Sequence, residues 1–343
     1  RDLGGRAAHK RSYSDAQAPA GSRGGGGGLF VRGHASSAES VAACPEGLNH
    51  QSIDDLLAFV SRQGFNAVRL PFLHQHVLFD EPLKTTAFSK KLNAALAPDG
   101  QPVSYTEMLL AVAQRAAAHG LLVFLVAHSV ERMWYSRSIA EETVLDSWDA
   151  VARRLCGQWN VVAVDLKDKP SAASWGMGGD DDWDAAAARL GNHVLGKCPR
   201  WLIFVEGVGH TPGAAGQQPN AGYWWGGNLV GVHTAPVKLK DQSRLVYSPH
   251  TYGPSVYLQD YFKVNNFPSN MAQIWNDHWA FVRQATGTPI VIGEIGGFYT
   301  QKDRVWQDWA VQFCGAQGIG LFYFALTPTS DDTGGLLRAA VDA

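Results

Sequence analysis

The stretch VVAVDLKDKPSAASWGMGGDDDWDAAAARLGNHVLGKCPRWLIFVE, residues 161–206, holds one complete structural unit. It opens on an apolar run, 161–166, of strand length. A loop rich in Gly and Asp follows, then the Ala-rich stretch 183–197, which reads as a helix. A second apolar run, 201–205, closes the unit. Strand, helix and strand in this order form a parallel pair joined by a crossover.

The same alternation extends in both directions. Apolar runs at 29–32, 66–70, 121–127, 245–248, 289–293 and 320–325 bring the total to eight. Between them lie helical patterns at 105–119, 141–155 and 270–284. Another helix opens at Ser52, with a capping-box spacing to Asp55. Ile53, Leu56, Leu57 and Val60 follow at i, i+3, i+4 and i+7, and Gly64 is a stop signal. Asp303 starts a further helix, carrying Trp306, Trp309, Ala310 and Phe313, with its end expected at Gly315. Runs apolar on both faces suit a parallel sheet covered by helices. Eight such units predict a (β/α)8 TIM barrel of the α/β class. No GxGxxG follows the first run, which argues against a dinucleotide fold. Only 336–343 remains after the last strand, so the final helix is expected to be shortened.

The chain has 343 residues, a formal net charge of -2 and 45% hydrophobic residues. That material fills one large barrel core. The near-neutral balance argues against a nucleic-acid or membrane-surface binder, and no apolar run reaches the roughly 20 residues of a membrane span. Residues 1–28 carry five basic against two acidic residues and end in Gly24-Gly25-Gly26-Gly27-Gly28. They read as a basic, Gly-rich tail, with the barrel domain over 29–343. The chain opens on Arg1 without a secretory signal and reads as a processed product or a fragment. Four Cys are too few for a disulfide scaffold. Cys156 and Cys198 each end a helix just before a strand. A disulfide at the barrel bottom fits them, and two buried free thiols fit at least as well, while Cys44 and Cys314 have no evident partner.

Barrels of this kind do chemistry at the C-terminal ends of their strands. The residues expected there are Arg69, His128, Asp168, Lys169, Glu206, His250, Tyr252, Glu294 and Leu326. Trp134, Tyr135, Trp175, Trp224, Trp225 and Tyr257 fall in loops on the same rim. Aromatic faces there could stack on sugar rings, with Trp224 or Trp225 expected to face a cleft. His74 and His76 alternate along a strand in this reading, with no further ligand nearby, so no metal is expected.

Several motifs carry a resemblance to glycoside hydrolase family 5, the cellulase family. They are GFNAVRLPF (64–72), WLIFVEGV (201–208), YWWGGNL (223–229), YSPHTY (247–252), IGEIGG (292–297) and DDTGG (331–335). The sequence is most similar to the bacterial-type endo-β-1,4-glucanases. The resemblance implies a retaining mechanism, with two carboxylates about 5–5.5 Å apart and no cofactor. Glu294 matches the nucleophile. Arg69, His128, His250 and Tyr252 match the residues that support it and shape the sugar site.

The departures decide the functional expectation. Where the family reads Asn-Glu-Pro after the fourth strand, this chain reads Asp168-Lys169-Pro170. Lys169 stands at the acid/base position, and Asp168 replaces the Asn that binds the sugar 2-hydroxyl. Leu326 stands where a Trp floors the central sugar site. Val126-Ala127-His128 replaces Asp-Arg-His, and Ser36 or a neighbour stands where a Trp follows the first strand. A glycosidic oxygen leaves readily only when protonated, and a lysine with an ordinary pKa of about 10.4 holds its proton too tightly. Loss of a general acid typically costs about 10²–10⁴-fold in rate. If Lys169 points inward, an ion pair with Glu294 is expected.

The main reading is therefore an inactive cellulase-like barrel that keeps a β-glucan or glycan cleft. An assembly subunit, with a protein partner or second copy covering the C-terminal seam, is another. The alternative is an active retaining endoglucanase with Glu294 as nucleophile and a displaced acid; Asp168 is adjacent but its side chain is expected to point elsewhere, and Glu206, one strand further round, reads as a structural hydrogen-bonder. Family analogy implies secretion.

Overall fold

The computed structural model describes residues 44–45, 47–128, 132–135, 139–209, 223–326, 330 and 332–337. Eight short strands appear: β1 (Ala67–Phe72), β2 (Leu122–Ala127), β3 (Val161–Asp165), β4 (Leu202–Val205), β5 (Leu245–Tyr247), β6 (His250–Tyr252), β7 (Val291–Gly296) and β8 (Gly320–Tyr323). All neighbours pair in parallel, in the orders β1 to β5 and β6 to β8. β5 and β6 are two halves of one run, broken where Pro249 cannot donate to a ladder. A parallel bridge from Tyr247 to Ile290 joins the two sheets into one curved wall.

Among the described residues, eight α-helices, α1 to α8, precede or connect these strands: Ile53–Arg62, His74–Phe79, Tyr105–Ala118, Glu141–Leu155, Trp183–Lys197, Met271–Trp275, Phe281–Thr286 and Gln301–Gln317. Ser52 caps α1 by accepting from Asp55 N at 3.0 Å. The full capping box sits instead at Ser104 and Glu107, ahead of α3. The helix expected over 270–284 is α6 and α7 joined by a π-turn, Asn276–Ala280. α8 runs through Gly315 and stops at Gly318, whose φ of 64° ends the helix in the left-handed region. His74 and His76 lie on α2, not on a strand. His74 bonds Ser147 Oγ at 2.9 Å, and the His76 ring tilts over Tyr105.

Strand alternation divides the core. Phe124, Ala163, Phe204 and Val246 point inward and close the barrel floor, with Phe322 against them. The Phe124 and Phe204 rings are 4.3 Å apart. Outward residues such as Phe72, Val123 and Leu125 pack under the helices. On α4, Val144, Trp148, Val151 and Leu155 form the buried stripe, and Trp148 meets Phe72 edge-on at 5.0 Å. Cys156 and Cys198, at the ends of α4 and α5, form a disulfide. Cys44 and Cys314 remain free.

β1 and β8 end the wall. An apolar cavity of about 260 Å³ lies between them, lined by Phe65, Val68, Phe124, Leu321, Phe322 and Leu326 among others. The expected first strand, 29–32, the tail 1–28 and Ser36 lie outside the described residues, as do 338–343 of the expected last helix.

Candidate active site

Period-two alternation carries the inward face of the strands upward from the floor. Two residues beyond Ala163 on β3 stands Asp165; two beyond Phe204 on β4 stands Glu206. Arg69, across from Phe124 in the β1–β2 register, starts at the floor layer, is fully buried, and extends its side chain up to Asp165 and Glu206. Its guanidinium organises the centre. Nη1 lies 2.6 Å from Glu294 Oε1, and Nη2 lies 2.9 Å from both Asp168 Oδ1 and Glu206 Oε1. Asp165 Oδ2 stands 3.5 Å from Nη2.

Lys169 completes the cluster. Its Nζ lies 2.8 Å from Glu294 Oε2 and 3.8 Å from Asp168 Oδ2, so the ion pair expected from the sequence is present. The Lys169 backbone is left-handed, with φ of 49°, and its N–H donates to Glu206 Oε2 at 2.9 Å. Tyr252 donates its hydroxyl to Glu294 Oε2. His128 Nδ1 lies 3.2 Å from Asp168 Oδ2, and His250 Nε2 lies 3.0 Å from Glu206 Oε1. Behind the strand end, buried Lys167 donates to the Asp168 carbonyl at 2.5 Å. Gly226 makes room for Glu206. A Cβ there would stand 2.2 Å from Glu206 Oε2, and the φ of 78° favours glycine.

Burial and charge set the protonation states. Burial alone would raise the Asp168 pKa; Lys169, His128 and Arg69 outweigh it and hold Asp168 well below the usual carboxylate range. Burial opposes ionisation of Glu294 too, and the Lys169 charge above all overturns it, so Glu294 is also lowered. Lys169 loses hydration, yet Asp168 and Glu294 raise its pKa above the ordinary lysine value. Glu206 and Asp165 go the other way. Burial, reinforced for Glu206 by Asp168 and for Asp165 by Glu206, raises both well above the carboxylate range. Burial pushes His250 down to about 3, so it is neutral near pH 7. Buried Lys167 is lowered to about 8.

This arrangement favours an ionised Glu294, and the group that meets it is an ammonium that its carboxylate partners hold in the charged form. Oxygen atoms of Asp168 and Glu294 lie within 4.8 Å, close to the spacing of a retaining pair. Asp168 is nonetheless clamped as an anion. Burial and Asp168 disfavour ionisation of Glu206, which is fully buried against the Arg69 guanidinium and the Lys169 backbone N–H. Among the described residues, two groups could gather metal ligands, Asp165–Glu206–His250 and Asp168–His250–Glu294. Arg69 and Lys169 already take their carboxylate oxygens, which disfavours a cation there.

The rim aromatics divide. Trp224 is buried, edge-on to Tyr252 at 5.3 Å, and offers no face to a cleft. Trp134 is buried with its Nε1 donating to Asp180 O, and Arg189 covers its ring. Trp175 is buried with its Nε1 on Ala235 O. Leu326 is buried as well. Trp224, Trp134 and Trp175, expected as rim aromatics, are therefore corrected to packing: each side chain is drawn inward by its apolar area or its indole donor. Trp225 and Tyr257 stay half-buried, and Arg132 lies 4.8 Å over the Trp225 ring. Asp165 went unrecognised in the sequence. Its inward parity with Ala163 was the signal that could have found it.

Residues 34–330 match the family model described as Cellulase (glycosyl hydrolase family 5). The chain is 36% identical over 301 residues to an endoglucanase of Paenibacillus polymyxa, covering 85% of this chain and 73% of that one. It is 36% identical over 304 residues to the major extracellular endoglucanase of Xanthomonas campestris pv. campestris, covering 85% and 60%. The solved catalytic domain of the latter superposes with a TM-score of 0.80 at 34% identity, over 92% of this chain and 89% of that one. A cellotetraose complex of an endocellulase from Pyrococcus horikoshii superposes at 0.80 with 32% identity, over 92% and 88%.

Proposed function

Because the chain belongs to the cellulase family, glycosyl hydrolase family 5, we propose that it is a β-glucan-binding barrel in which the hydrolytic step is lost or strongly slowed. The observation that supports this reading is an ion pair: Lys169, which the motif resemblance aligns with the family's acid/base, lies 2.8 Å from Glu294.

In a retaining reaction, a carboxylate attacks the anomeric carbon while the glycosidic C–O bond breaks and an acid protonates the departing oxygen. Water then releases the sugar, with the same acid now acting as base. Lys169 fails at both steps. Its ammonium is held by Asp168 and Glu294, so it neither donates readily nor becomes a base near neutral pH. The same contact weakens Glu294, since an attacking lone pair is engaged by Lys169 and Tyr252. The absent acid accounts for about 10²–10⁴-fold, or roughly 3–5 kcal/mol of barrier.

A second reading has its own support. The relatives are named endoglucanases, and an Asp168 oxygen lies within 4.8 Å of Glu294. On that reading the chain is an active retaining endo-β-1,4-glucanase with Glu294 as nucleophile and Asp168 as a displaced acid. The depressed Asp168 pKa argues against it.

Two substrates separate the readings. An aryl β-cellobioside with an activated leaving group needs little acid help; cellopentaose needs it fully. Slow aryl-glycoside turnover that requires Glu294, beside no detectable cleavage of cellopentaose, is the expected result. Rapid cellopentaose cleavage abolished by Glu294→Gln establishes the second reading instead. The Cys156–Cys198 disulfide and the extracellular relative support a secreted protein in an oxidising compartment.

A further inference from the structure

Four residues after Glu294 the chain leaves the top of β7 and exposes a phenyl ring. Phe298 is 44% exposed, on the face of the barrel that carries Glu294 and Lys169. A solvated aromatic on a loose loop would mean little. This loop is instead built around a buried carboxylate. Asp303 Oδ1 accepts from Ser255 Oγ at 2.7 Å and Ser255 N at 3.3 Å. Its Oδ2 accepts from Tyr299 N at 2.9 Å and Gln307 Nε2 at 2.7 Å. Ser255 Oγ in turn accepts from Phe298 N at 3.0 Å. The loops leaving β6 and β7 are thereby stapled together.

Two further features show that the ring is held at some cost. Tyr299 and Gln301 adopt left-handed backbone, with φ of 55° and 47°, which side chains beyond Gly disfavour. Gly297 and Gly253 press so closely on Asp303 that a Cβ would stand 2.4 and 1.8 Å from its Oδ1. On the other side, Tyr323 donates its hydroxyl to Gly297 O at 3.1 Å. The Phe298 ring borders Gly334, where a Cβ would stand 3.0 Å from Cδ1, so its edge abuts the loop after β8. Tyr299 turns away. Its hydroxyl donates to Asp308 Oδ1, and Arg304 lies 5.7 Å over its ring.

Backbone strain supported by a buried polar network marks a surface kept in shape for contact. The exposed group here is a phenyl ring just past the C-terminal end of β7, the strand that carries Glu294. We propose that Phe298 is a sugar-stacking platform that receives a pyranose ring of a β-linked glucan beyond the ring over Glu294, with Asp303 as its positioning residue. Pyranose C–H faces are the ligand chemistry that pairs with an exposed ring beside hydrogen-bonding loops. The platform stands in for stacking area that buried Leu326 and Trp224 do not supply. This inference rests on the glucan-binding reading above.

Calorimetric titration of the whole chain with cellobiose and cellohexaose tests it. Phe298→Ala is expected to weaken cellohexaose about 10-fold, the size of one well-placed aromatic contact, and to leave cellobiose unchanged. Phe298→Trp should retain or strengthen cellohexaose binding. Trp159→Ala, a change at an exposed ring on the opposite end of the barrel, should have no effect. Cellohexaose affinities of wild type and Phe298→Ala within two-fold overturn the platform alone. A wild-type chain that binds neither sugar overturns the glucan-binding reading, and the platform with it.

Discussion

Lys169 and Asp168 are charge partners as well as chain neighbours. One adds a cation to the buried cluster and the other an anion, so together they leave its net charge nearly unchanged. Changing one alone therefore unbalances it. Lys169→Glu by itself puts another carboxylate against Asp168 and Glu294, where Arg69 already serves four acidic groups. Asp168→Asn with Lys169→Glu relieves that repulsion and supplies an acid. The double variant is expected to cleave cellopentaose at least about 10²-fold faster than wild type, with the Lys169→Glu single variant well behind it. Indistinguishable rates for all three proteins would sink this account. Lys169→Met tests the nucleophile separately. It removes the charge that most lowers Glu294, so the Glu294 pKa should rise and the acidic limb of aryl-cellobioside hydrolysis should move to higher pH. An unmoved limb would show that Lys169 does not govern Glu294.

Secondary elements place these side chains, and their packing can be probed away from the cluster. Trp148 is fully buried on α4 against Phe72 of β1. Trp148→Ala is expected to cost about 3–5 kcal/mol in denaturant unfolding. His74, at the start of α2, is buried beside Ser147 and near Lys167, and burial pushes its pKa down to about 3. It is neutral in the fold and titrates near 6.5 when unfolded. Its contribution is thus complete above about pH 6.5 and is lost as pH falls toward 3. His74→Gln should destabilise more at pH 7 than at pH 5, by on the order of 2 kcal/mol. Equal destabilisation at both values would show that burial does not lower the His74 pKa in the fold. The helix periods at α1, α3, α4 and α5 were readable because their buried stripes repeat in sequence. The π-turn between α6 and α7 was not, since a one-residue offset leaves the apolar period almost intact.

At the scale of the whole molecule, the wall runs from β1 round to β8, and the disulfide ties α4 to α5 across its lower end. Replacing both Cys156 and Cys198 by Ala is expected to lower stability by about 2–4 kcal/mol, read from chemical denaturation under non-reducing conditions. An unchanged midpoint would mean that the bond adds nothing to the native packing of those helix ends.

Much of this molecule follows from its linear order of residues. Strand and helix periods give the barrel because each element must bury its own apolar face. Glu294, Arg69, His250 and Tyr252 could be read as one group because strand ends in such a barrel share one rim. The place of Lys169 on that rim was legible for the same reason; its match to the acid position came only from the motif resemblance. The direction of each side chain was not. Trp224 and Trp134 turned inward, Asp165 joined the charged centre, and Asp303 bound two loops, all through contacts between residues tens of positions apart. Whether an ammonium meets a carboxylate at 2.8 Å, and which carboxyl then keeps its proton, depends on burial and on charges from several strands at once. Those are properties of the enclosed volume, which no local stretch of chain encodes.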